Sequence, residues 1–140
     1  MKQLKKLFSS TCVWLMLLSV IFASNAQSIY AATPYWLNTY KVYMGHTYYY
    51  GDAECVIEVL GQPGVTLIDN IDITFLQEDD NGNWIELERW DDLSVAGDDF
   101  FFVDHVENTP LGYTYRLTLS FDIHRNGTVE HIDDYFDRMY

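Results

Sequence analysis

Gly112-Tyr113-Thr114-Tyr115-Arg116-Leu117-Thr118-Leu119-Ser120-Phe121-Asp122-Ile123 carries the clearest periodicity of the chain. Tyr113, Tyr115, Leu117, Leu119, Phe121 and Ile123 alternate with Thr114, Arg116, Thr118, Ser120 and Asp122. Side chains of a strand point alternately to its two faces, so this spacing predicts a strand with one apolar and one polar face. Asn126-Gly127 follows. That dipeptide favours a two-residue hairpin because both turn positions need positive φ. Thr128 to Ile132 is then the returning strand.

Working outward, Ala53, Cys55, Ile57 and Val59 alternate with Glu54, Val56 and Glu58. Gly61-Gln62-Pro63-Gly64 reads as a turn. Val65 to Gln77 reads as a strand, as do Trp84 to Trp90, Phe100 to Val106 and Tyr40 to Tyr50. In the Trp84 segment the faces stay unassigned: strict alternation puts Trp84 and Trp90 on one face, Ile85 and Leu87 on the other. No stretch carries a helical stripe, and only 133–139 has room for a short helical turn. Six or seven short strands with turns about every ten residues predict an all-β fold, a single small antiparallel β-sandwich. An early strand with Cys55 and a late strand with Tyr115 two residues before Leu117 match the immunoglobulin-like pattern, Leu117 standing where a second cysteine would be.

Lys2, Lys5 and Lys6 precede the apolar run Val13-Trp14-Leu15-Met16-Leu17-Leu18, and Ser24-Asn25-Ala26 supplies small residues after it. This order is that of a cleaved signal peptide over 1–26. The division that follows is 27–39 as an irregular lead-in and 40–140 as the sandwich, with the product secreted to the extracellular space and no membrane insertion after cleavage. Past residue 26 only Cys55 remains, so no internal disulfide forms, and it reads as a small buried hydrophobe. Lys41, Arg89, Arg116, Arg125 and Arg138 then face 21 acidic residues, a formal charge of −16. Such a charge opposes nucleic acid and anionic membrane surfaces. It leaves cations, basic proteins or neutral glycans as partners.

The segment Asn81-Gly82-Asn83-Trp84 through Trp90, the Tyr-rich strand and the Asn-Gly hairpin together resemble small secreted, immunoglobulin-like β-sandwich proteins of Gram-positive bacteria with no assigned function. The resemblance covers most of 50–132. It implies fold and compartment and brings no catalytic residues.

Candidate chemistry is sparse. Asp79-x-Asn81-x-Asn83 places oxygens at alternate positions, as a calcium loop does. The EF-hand pattern fails, because Trp84 sits where glycine is needed and Trp90 where the bidentate glutamate belongs. A solvated turn is preferred, with calcium as the sole cofactor the pattern raises. His124 and His131 flank the hairpin and, with Asp122 or Asp133, offer zinc ligand types, against an ordinary cross-strand pair. Asn126-Gly127-Thr128 matches a glycosylation sequon but reads as a turn. Tyr48-Tyr49-Tyr50 on a strand sends side chains to both faces, so it joins Trp84 and Trp90 as a candidate contact surface. Acidic pairs for glycoside hydrolysis are numerous and none is singled out. The expectation is therefore a non-enzymatic binding module for a protein or glycan at or near the cell surface. An extracellular structural module, calcium-stabilised, is the alternative. A concave site with two buried carboxylates, or with a histidine beside a carboxylate, would revive an enzyme.

Overall fold

The computed structural model describes residues 36–140, so the expected signal peptide, its expected cleavage site and most of the lead-in lie outside the described residues. The described chain is all-β, with strands β1 (Thr39–Tyr49), β2 (Asp52–Gly61), β3 (Val65–Glu78), β4 (Trp84–Ala96), β5 (Asp99–Val106), β6 (Thr114–Arg125) and β7 (Thr128–Met139). They form two antiparallel sheets, β1-β2-β5 (sheet A) and β4-β3-β6-β7 (sheet B), packed as a β-sandwich.

β6 is the strand the alternation predicts. Tyr115, Leu117, Leu119, Phe121 and Ile123 are buried, and the residues between them are half-exposed. From sheet A, Ala53, Cys55, Ile57 and Val59 of β2 complete the core, with Ile68, Ile71, Ile73 and Phe75 of β3. The β6–β7 turn has φ of 51° at Asn126 and 79° at Gly127, the double positive value a two-residue hairpin requires. β7 then runs on through Met139, paired throughout with β6. The helical turn allowed over 133–139 is therefore absent: β6 offers a partner as far as Thr114, and the Arg116–Asp137 ion pair ties the two strands near that end.

The faces of β4 were illegible because the strand is bulged. Phase is lost between Phe75 and Leu76, which oppose Glu88 and Glu86, and again between Ile71 and Ile73, which oppose Leu93 and Trp90. An extra residue in one strand flips the face of everything beyond it. Trp84 consequently lies on the outer face of sheet B over Arg116, whereas Trp90 turns between the sheets. There it packs edge-on against Phe102 and donates an Nε1 hydrogen bond of 2.8 Å to Asp104 of β5. A further bulge, at Asn70 of β3 (φ 48°), explains why Ile68 and Ile71 are both buried although an odd number of residues apart.

Candidate functional site

Sheet B presents a polar outer face to solvent. Its side chains come from the even positions of β6 (Arg116, Thr118, Ser120, Asp122) and, through the hairpin register, from Asp137, Tyr135, Asp133 and His131 opposite them on β7. Asp72 and Thr74 of β3 and Arg89 of β4 complete it on the other side. Between the β4 side and the β7 side lies a groove of about 540 Å³ whose lining includes Arg89, Arg116, Ser120, Asp72, Asp133 and Tyr135.

One end of this face is a ladder of rings and charge. The Arg116 guanidinium lies 4.2 Å from the ring centroid of Trp84 and 4.2 Å from that of Tyr135. It also makes two 2.7 Å hydrogen bonds to Asp137. A planar cation between two rings, forked onto a carboxylate, is a rigid arrangement. Tyr135 nevertheless keeps 60% of its surface exposed.

The other end holds the histidine cluster. His131 Nδ1 is 2.6 Å from Asp122 Oδ1, and its Nε2 faces Ser120 Oγ at 3.5 Å and Asp133 Oδ2 at 3.3 Å. Asp122 receives a second bond of 2.7 Å on Oδ2 from the Asn70 amide, delivered by the β3 bulge. Hydrogen bonds from Asn70 and then His131 hold the Asp122 carboxyl below its usual range. The Asp122 bond raises the pKa of His131. His124 and His131 do not face each other as a pair: the register sets His124 opposite Val129 and His131 opposite Asp122, and His124 Nε2 bonds Asp69 at 2.8 Å instead.

The candidates drawn from the sequence alone do not converge. Tyr48 points toward the core, stacked on Tyr140 at 4.0 Å with its hydroxyl 2.7 Å from His46 Nδ1. Tyr49 is 60% exposed, and Tyr50 stands fully exposed in the β1–β2 turn. Trp84 belongs to the sheet B face and Trp90 to the gap between the sheets. Asp79, Asn81 and Asn83 form the β3–β4 turn. Asp79 Oδ1 accepts the backbone N–H groups of Asn81 and Asn83, and Oδ2 accepts the Asn83 side-chain amide. These bonds, the Asn83 backbone first, lower the Asp79 pKa. The loop thus ties itself together through its own amides. Among the described residues no group of three or more His, Cys, Asp or Glu side chains is placed to hold a metal ion.

Arg116, Ser120 and Tyr135 were missed as site residues, although the signal was present. Once a two-residue Asn-Gly turn is accepted, every β6–β7 pairing follows, including Asp122 with His131 and Arg116 with Asp137. Compared with known proteins, the chain matches no family model and no curated protein.

Proposed function

We propose that this chain is a secreted domain of immunoglobulin-like topology that binds a glycan in the groove on the outer face of sheet B, at or near the cell surface. The observation that carries the reading is the groove itself, with the exposed ring of Tyr135 on one wall and carboxylates, hydroxyls and the Arg89 and Arg116 guanidinium groups along the rest. A sugar ring offers an apolar face to an aromatic ring and hydroxyls to carboxylates, and a pocket of this size is in the range of small-ligand sites. The formal charge of −16 past residue 26 favours neutral or basic ligands over polyanions.

Two features support the immunoglobulin-like assignment. The strand order β1-β2-β5 with β4-β3-β6-β7 places the fourth strand beside the third, as in sandwiches whose fourth strand joins the sheet of the last two. Tyr115, at the start of β6, hydrogen-bonds back to the Pro110 carbonyl, the form of a tyrosine corner. The Lys2 to Ala26 pattern supports export.

The test is titration calorimetry against a panel of neutral oligosaccharides, acidic oligosaccharides and a basic peptide. A neutral oligosaccharide is expected to bind, with Tyr135→Ala weakening it about tenfold, roughly 1.4 kcal/mol, and Tyr50→Ser leaving it unchanged. Binding confined to the basic peptide, or affinity that follows Tyr49 and Tyr50 and ignores Tyr135, overturns this reading.

A further inference from the structure

We propose that Ser120, His131 and Asp122 form a nucleophilic relay that hydrolyses a carboxylic ester carried by the molecule in the groove. This goes beyond the binding reading and rests on it only for the choice of ester.

The geometry supplies a nucleophile, a base and an orienting carboxylate for acyl transfer to a serine. Ser120 lines the groove, so its hydroxyl is open to a bound ligand. His131 Nε2 is 3.5 Å from that hydroxyl, a separation that serine–histidine pairs show before substrate closes them up. Nδ1 of the same ring is 2.6 Å from Asp122, which fixes the tautomer with Nε2 as the acceptor and stabilises the imidazolium that forms. Asn70 Nδ2 bonds the remaining Asp122 oxygen at 2.7 Å and so orients the carboxylate. Asn70 reaches it because of its positive φ of 48° in the β3 bulge, and such bulges are enriched beside functional sites. Asp133 Oδ2, 3.3 Å from Nε2, favours the protonated ring and thus the state that follows proton transfer. Arg89 and Arg116 are the cations of the groove lining, each bonded to a carboxylate, Glu86 and Asp137 respectively.

In the first half-reaction Ser120 Oγ bonds to the ester carbonyl carbon and its proton passes to His131 Nε2. The bond from that carbon to the alkoxy oxygen breaks, and the alcohol leaves with the His131 proton. In the second half a water molecule attacks the acyl-serine and gives its proton to His131. Ser120 departs, takes that proton back, and the free acid is released. No oxidant, reductant or metal is consumed.

The experiment treats the exported protein with a fluorophosphonate and locates the adduct by peptide mass spectrometry, alongside hydrolysis of 4-nitrophenyl acetate. A single adduct on Ser120 is expected, none in Ser120→Ala, and labelling at least about tenfold slower in His131→Asn and Asp122→Asn. The rate should rise with pH to a plateau once His131 is neutral, with a midpoint above the ordinary histidine value because its pKa is raised. Asp133→Asn should move that midpoint down while leaving Ser120 labelled, a shift that a merely structural residue would not produce. Near-ultraviolet circular dichroism shows whether each variant is folded. The relay is overturned if Ser120 stays unlabelled in folded protein, if exposed phenols such as Tyr50 label as fast, or if folded His131→Asn reacts at the wild-type rate. Oligosaccharide binding by the wild-type protein separates the two readings: binding with no labelling refutes the relay alone, whereas labelling without any oligosaccharide binding refutes the glycan reading alone.

Discussion

The Tyr115 hydroxyl donates a 2.8 Å hydrogen bond to the Pro110 carbonyl while its ring lies parallel to that of Phe75, 5.5 Å away. The residue is fully buried, so its phenol has no water to fall back on. Burial pushes the phenol pKa up to about 12. The bond ties the loop after β5 to the first turn of core packing in β6. Tyr115→Phe keeps the ring and removes the donor, leaving the Pro110 carbonyl short of a partner. The expected cost is about 0.5–1.5 kcal/mol, since water can reach the exposed Pro110, read as a lower denaturant midpoint with an unchanged slope.

Leu117 sits in the same row, fully buried, between Phe75 of β3 and Phe136 of β7 in the register. β6 is an inner strand of sheet B, so the packing around Leu117 has little freedom to collapse. Leu117→Ala is expected to cost roughly 2–5 kcal/mol by denaturant unfolding. A wild-type midpoint would remove Leu117 from the core.

His46 is 2% exposed, with rings of Tyr48, Phe75 and Phe136 each 5.3 Å away. Its Nε2 has no hydrogen-bond partner of good geometry, and the Phe136 backbone offsets only part of the burial. Burial lowers its pKa from 6.5 to about 4. The unfolded chain therefore binds a proton at His46 that the folded chain refuses, and stability falls as pH drops from 6.5 to about 4, levelling below that. The full effect is on the order of 3 kcal/mol. His131, whose pKa is raised, contributes with the opposite sign: its stabilisation is present below the unfolded value and is lost as pH rises through the folded one, a window above that of His46. Denaturation of wild type and His46→Phe across this range should show the steep fall only in the wild type.

Cys55 is fully buried and unpaired, and burial, with Asp104 and Glu54 adding to it, pushes its thiol pKa up to about 12. A buried thiol with almost no thiolate is a poor nucleophile. Ellman's reagent should leave the native protein unmodified for hours and react with one thiol per chain in denaturant. Fast reaction without denaturant would place Cys55 at the surface.

The elements legible from the residues alone are those whose side-chain period stays intact. β6 and β2 keep an unbroken period of two, and Asn126-Gly127 admits essentially one turn geometry, so strand class, the inward residues and the β6–β7 register all follow from local chemistry. Where a bulge interrupts the period, local pattern carries no phase: Trp84 and Trp90 land on opposite faces of β4, and Asn70 is turned onto Asp122, because β3 and β4 pair out of step. Which strands share a sheet is a property of the folded chain as a whole. Hydrogen bonding between β3 and β6, whose Asp69 and Asp122 lie far apart in sequence, brings Asn70 and Asp72 beside Ser120 and Asp122. The groove exists because such long-range pairing, which no local spacing encodes, lays four strands side by side with their polar faces outward.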